Sequence, residues 1–200
     1  MARPREFDEG AVLDAAVLCF WTNGYDATSV RDLVAQTGIT AASLYNAFGD
    51  KRALYGRALE HYVEGSIANR IQRCEQLRPL EGIEAFFEEI VRRSLIDRDR
   101  KGCMLVNAAL DVAPHDAEFR KVVAEVLLRI EAFFLGCLVA GQADGTISRA
   151  LPASNLAHNL LGVLMGIRVL ARVRPERKLL EGVLAPALVL LRNGSSTDRK

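Results

Sequence analysis

Apolar residues in this chain recur at three- and four-residue spacing almost from end to end, and no alternating pattern persists. In the first helical stretch, about residues 8–23, Ala11, Val12, Ala15, Ala16, Cys19 and Phe20 fall on one side. A period near 3.6 paints one stripe of a helix, whereas a half-buried strand needs a period of two. The expected fold is therefore all-α, with about nine helices.

The joints between these helices are written in glycine, proline and capping residues. Gly24 ends the first helix. The second follows Thr28, read as its N-cap, and turns Val30, Leu33 and Val34 inward. Gly38 breaks it, and Thr40 caps a third that carries Leu44, Tyr45 and Phe48. Gly49 closes that helix and Asp50 caps a long fourth one over 51–76, stopped by Pro79. Further helices are expected over 80–97, 103–112, 116–143 with Asp116 as cap, 153–172 and 175–193. Residues 195–200 read as a disordered tail.

Composition excludes more than it selects. The 200 residues carry a net charge of +1 and are 50% hydrophobic, enough for a real core. Residues 1–60 hold six Lys/Arg against eight Asp/Glu, so binding to a polyanion needs a few well-placed cations. Cys19, Cys74, Cys103 and Cys137 lie far apart, with no metal-ligand spacing; no metal or other cofactor is expected. The start has no signal-peptide core, and apolar runs such as 160–171 read as too short to span a membrane, so a cytoplasmic protein without a membrane partner is expected. No GxSxG, phosphate loop, HExxH or paired-carboxylate site is present, which argues against an enzyme. A helical adaptor that does not touch DNA is the other alternative, kept open by the low charge of the first 60 residues.

The most informative stretch is residues 28–55. Two short helices joined by a Gly-containing turn form the pattern of a DNA-reading unit, whose second helix enters the major groove. Ala41, Ala42 and Ser43 at the start of that helix are small, which permits close approach. An ordinary helical hairpin has the same spacing.

At these residues a resemblance becomes specific. Phe20, Gly24-Tyr25-Asp26-Ala27-Thr28-Ser29-Val30, Gly38-Ile39-Thr40, Leu44-Tyr45, Phe48 and Lys51 to Leu54 resemble, in order and spacing, the N-terminal domain of the TetR/AcrR family of transcriptional regulators. The resemblance implies an N-terminal helix-turn-helix domain over 1–50 and a regulatory and dimerisation domain over 51–194. It implies a repressor that binds a double-stranded inverted-repeat operator as a homodimer and is released by a small-molecule effector. Carried over by position, Thr28, Ser29, Arg31, Thr40, Ala42, Ser43, Tyr45, Asn46 and Lys51 face DNA. Tyr45 and Lys51 would hold phosphates, and Thr40, Ala42, Ser43 and Asn46 would read bases. Arg3 and Arg5 form a candidate minor-groove arm.

In the body, the resemblance assigns the dimer to the last two helices, with Leu156, Leu160, Leu164 and Ile167 on one and Leu180, Leu184, Leu188 and Leu191 on the other. Both helices are apolar over more than one stripe, which suits a helix used in a core and again at a subunit contact; filling the core of a large helical domain is the alternative. Phe86, Phe87, Cys103, Met104 and Asn107, with Phe133, Phe134, His158, Met165 and Arg168, lie on helices that enclose the family's ligand pocket. For each Phe or Met, plain core packing competes with this reading. Cys103 opens a short helix after Arg98, Arg100 and Lys101, a setting that favours a reactive thiol; burial as a small apolar residue is the alternative.

Overall fold

The computed structural model describes residues 7–192. They form helices α1 (Glu9–Asn23), α2 (Val30–Thr37), α3 (Ala41–Phe48), α4 (Lys51–Tyr62), α5 (Asn69–Cys74), α6 (Pro79–Ile96), α7 (Met104–Asp111), α8 (Ala117–Asp144), α9 (Ala153–Val173) and α10 (Arg177–Leu191). A π-helical segment, Val63–Ala68, joins α4 to α5, so the run that began at Lys51 ends at Cys74. Counting it as one helix gives nine, and no strand occurs among the described residues. The periodicity does not disclose the π segment. Gly65-Ser66 lies within it, where weak helix propensity lowers resistance to a change of register.

The chain divides into two compact units. One comprises the residues up to Ala68 together with Cys103–Val123; the other comprises Asn69–Gly102 and the residues from Ala124 onward. In the first unit α1 packs on α4 and α2, and α3 touches both α2 and α4. Its core holds Phe20, Leu33, Leu44, Leu54, Ala58 and Leu59, all buried. The Tyr55 ring is the hub of an aromatic cluster, 5.1 Å from Phe20, 4.9 Å from Tyr25 and 5.2 Å from Phe119. Such edge and tilted contacts add to plain area burial.

The second unit packs α6 against α5, α9 and α10, and α9 against α10. Phe86, Phe87, Phe133 and Phe134 form its aromatic centre, with Phe87 stacked on Phe134 at 5.5 Å. Two glycines are required by close approach. A Cβ on Gly82 would lie 2.7 Å from the Cys74 carbonyl oxygen, and one on Gly141 would lie 2.5 Å from Ile147 Cδ1.

Helix α9 corrects one expectation. It is 21 residues long with a mean hydropathy of 1.4, sufficient by length and composition to cross a membrane. It extends beyond the apolar run on which the sequence estimate rested. Leu156, Leu160, Leu164 and Ile167 are nevertheless buried within the second unit, as in a core helix.

Candidate nucleic-acid interface

The head is built by local chemistry. Asp8 accepts from Gly10 N and Ala11 N to start α1. Gly24 ends α1 at φ 82°, which favours glycine. The cap of α2 is Ser29 rather than Thr28. Ser29 Oγ accepts from Asp32 N at 3.2 Å, and Asp32 Oδ2 accepts from Ser29 N at 2.8 Å, a complete capping box. These bonds hold the Asp32 carboxyl below its ordinary range. Thr28 is fully buried and its hydroxyl donates to the Gly24 carbonyl at 2.6 Å, which removes it from the DNA-facing set. The reason is topological: the chain turns inward between α1 and α2, and a hydroxyl buried there takes the nearest free carbonyl.

Gly38, left-handed at φ 73° and ψ 6°, ends α2 and makes the turn into α3. Thr40 Oγ1 caps α3 by accepting from Ser43 N at 3.1 Å. Leu44 and Phe48 face the core one turn apart, and Ala42 and Asn46 are exposed on another face. Ser43 and Tyr45 flank that face, half-buried. A helix with this division offers Ala42 and Asn46 to a groove while anchored behind by Leu44 and Phe48. Arg31 and Ser29 are exposed at the start of α2. Lys51 Nζ donates to the Asp26 carbonyl at 3.3 Å and lies 4.7 Å from the Tyr25 ring centroid, which steadies its charge beside α3. Arg52 is directed elsewhere, to Asp116 and Glu118. Arg3 and Arg5 lie outside the described residues, as does the tail over 195–200.

The remaining expected site residues fall in both units. Cys103, Met104 and Asn107 belong to the first, where Cys103 and Met104 are buried. The Tyr62 hydroxyl donates to Cys103 Sγ at 3.6 Å, and Lys101 is engaged by Asp97 and Asp99, so this thiol sits in packed surroundings. In the second unit the four phenylalanines come together, Met165 is half-buried and Arg168 is buried. His158 is corrected: its side chain is 63% exposed and its Nε2 lies 3.1 Å from Glu131, so it faces solvent rather than the interior. His61, on α4, lies at the surface with its Nε2 2.7 Å from Asp14 Oδ1.

The assigned dimer residues need a similar correction. Leu156, Leu160, Leu164, Ile167, Leu180, Leu184 and Leu191 are buried within the unit itself, and only Leu188 is partly open. They form the stripe that faces α6 and the partner helix. The stripe left to solvent is Gly162, Val169 and Val173 on α9 with Gly182, Ala185, Val189 and Leu190 on α10. One sequence residue was missed altogether. Arg70 is 1% exposed, and its only sequence signal is a cation between the apolar positions Ile67 and Ile71.

A trihelical head, with a capped helix-turn-helix whose second helix exposes small and amide side chains, defines a DNA-binding regulator. Residues 12–58 match the family model of bacterial regulatory proteins of the tetR family, and residues 79–185 match the tetracyclin repressor-like C-terminal domain. The chain is 32% identical to the HTH-type transcriptional regulator YezE of Bacillus subtilis, over 96% of this chain and 100% of that protein. It is 28% identical to the HTH-type transcriptional repressor ComR of Escherichia coli, over 85% and 82% of the two chains. Among solved structures, a cysteine-substituted TetR family transcriptional regulator CifR, complexed with 26-bp operator DNA, superposes with a TM-score of 0.83. The two are 30% identical over 95% of this chain and 100% of that one. The chain belongs to the TetR family of transcriptional regulators, and DNA is its partner.

Proposed function

We propose that this protein is a cytoplasmic repressor that binds an inverted-repeat DNA site as a two-fold dimer and leaves it when a small molecule binds the second unit. The observation that carries the reading is the exposed face of α3, where Ala42 and Asn46 stand one turn apart between Tyr45 and Ser43. Asn can pair with an adenine edge, and the Ala42 methyl can touch a thymine methyl. The unpaired N–H groups at the start of α3 and the Lys51 ammonium would receive phosphates.

Support for the dimer is the second apolar stripe on α9 and α10, with Val173 68% and Val189 65% exposed. Large apolar side chains left exposed along one face of a helix are those a contact surface uses. Two heads in such a dimer would present their recognition helices about one helical turn of DNA apart, roughly 34 Å or somewhat more. The ComR and CifR likenesses support repression and operator binding.

A fluorescence-anisotropy titration with duplex from the region upstream of its own gene tests the reading. The expected result is saturable binding at moderate salt, at least 1,000-fold tighter than to random duplex. Equal affinity for the two duplexes would overturn it.

A further inference from the structure

The second unit contains more buried positive charge than its own residues neutralise. Arg70 on α5 is 1% exposed and Arg168 on α9 is 7% exposed. Arg70 Nη2 donates to Glu89 Oε1 at 3.2 Å, but its Nε is buried with no hydrogen-bond partner. Glu89 is not Arg70's alone. Its Oε2 accepts from Arg73 at 2.6 Å, and its Oε1 also lies 2.8 Å from Arg93 Nε. One carboxylate thus serves three guanidinium groups. Among the described residues no carboxylate lies within ion-pair distance of Arg168.

The electrostatics follow from that imbalance. Burial, and then repulsion from Arg168, pull Arg70 below the ordinary arginine range. Burial alone would raise the Glu89 carboxyl, but Arg70, Arg73 and Arg93 together hold it below its usual value. Arg70 also lies 5.5 Å from the Phe86 ring centroid, at the edge of the phenylalanine cluster. A buried guanidinium with an unmade bond is costly, and an arginine cannot relieve the cost by losing its proton. A second buried arginine within electrostatic reach raises that cost. A planar carboxylate is the acceptor whose geometry matches the free edge of a guanidinium.

We infer that Arg70 and Arg168 form an anion-recognition site and that the effector of this regulator is an organic acid, its carboxylate taken by the two arginines and its apolar part by the side of Phe86. This rests on the effector-released reading above and names the class of molecule. A neutral effector of the same shape would leave the two charges as they are and gain nothing from them. Arg70 and Arg168 are in this sense a selectivity device: they destabilise the empty unit and are relieved by an acid.

The test uses the full chain without DNA, so that it is independent of operator binding. Melting temperature is measured in sodium acetate, butanoate, hexanoate, octanoate, benzoate and phenylacetate, against sodium chloride at equal ionic strength. Benzamide and hexanamide serve as neutral counterparts, and sodium sulfate reports general surface exclusion. At least one carboxylate should raise Tm saturably, by roughly 5–10 °C at 100 times its Kd, with its amide inert. Arg168→Gln should weaken that carboxylate about 30-fold or more. It should also raise the Tm of the unliganded protein, because it removes an unpaired buried charge. The more conservative Arg168→Lys keeps the charge and should retain part of the binding. The inference is overturned if no carboxylate in the series acts beyond chloride and sulfate. It is equally overturned if the amides act as well as the acids, or if Arg168→Gln lowers Tm and leaves the carboxylate shift intact. A chain that binds its operator but fails here loses only the anion site; one that binds a carboxylate but not DNA loses only the repressor reading.

Discussion

The Arg52 guanidinium grips Asp116 with two bonds, from Nε to Oδ2 at 2.7 Å and from Nη2 to Oδ1 at 3.1 Å. It also donates to Glu118 at 2.7 Å and lies over the Phe119 ring. Asp116 caps α8 with its other contacts, accepting from Glu118 N and Phe119 N. One carboxylate therefore ties the start of α4 to the start of α8 inside the first unit.

That pair has a pH signature. Hydrogen bonding from Arg52, against a smaller effect of burial, lowers the Asp116 carboxyl from 3.8 to about 2. A carboxylate depressed on folding contributes stability that is present above its unfolded value and is lost as pH falls through its folded value. Thermal melts between pH 7 and pH 2 should show Tm falling across the window from about 4 to about 2. Asp116→Asn should lower Tm at pH 7 and flatten that part of the curve. Parallel curves for the two proteins would show that the pair contributes nothing to the pH dependence.

On DNA, Lys51 and Asn46 should separate by kind of loss. Lys51→Ala should weaken binding to all sequences and reduce the salt slope by about one. If Asn46 reads a base, Asn46→Ala should cost about 1–3 kcal/mol on the best site and relax preference at one base pair, the loss expected for one bidentate base contact. Anisotropy titrations over several salt concentrations and a set of single-base variants of the site measure both. A uniform loss for Asn46→Ala would remove it from base reading.

For the dimer, the exposed stripe makes a sharper prediction than the buried leucines. Val169→Glu or Leu190→Glu should leave the monomer folded and prevent pairing, because the charge would be buried unpaired only in the interface. Leu184→Glu should instead unfold the unit, since Leu184 is already in its core. Sedimentation velocity and circular dichroism distinguish the outcomes. Dimers that persist in Val169→Glu and Leu190→Glu together would place the interface elsewhere.

Gly82→Ala tests the packing of α6. The new methyl would meet backbone, the Cys74 carbonyl oxygen, which cannot swing aside as a side chain can. A loss of about 1–3 kcal/mol is expected from overpacking, read in urea denaturation. Gly136→Ala, on α8 and outside the exposed stripe, meets nothing within 4 Å and serves as the control.

Thiol accessibility follows from burial. Cys19, Cys74 and Cys103 are buried and Cys137 is half-buried. Burial pushes the Cys137 thiol up to about 11, so its alkylation should be slow at pH 7 and accelerate steadily toward pH 11. Peptide mapping after limited alkylation should find Cys137 first and Cys103 protected until unfolding. Early labelling of Cys103 with release of DNA would restore it as a sensor.

The sequence by itself determined what depends on near neighbours. The helix periods, the caps at Thr40 and Asp50, and the glycine turns at Gly24, Gly38 and Gly49 all appear where it places them. Each is a matter of a few consecutive residues, so a local pattern suffices. Even the exposed pair Ala42 and Asn46 follows from the positions of Leu44 and Phe48. What the sequence left undecided is which apolar face of α9 and α10 the chain itself covers. The covered stripe is rich in leucine and the open one in glycine, alanine and valine, but it is the packing of α6, distant in sequence, that covers Leu160 and leaves Val169 open. Thr28 and Ser29 are equally good caps in sequence; the turn of the chain buries one and leaves the other to bond Asp32. Arg52 with Asp116 and Arg70 with Glu89 are pairs 64 and 19 residues apart. Long charged side chains reach many partners, and tertiary structure alone decides which of them are near and which are dry.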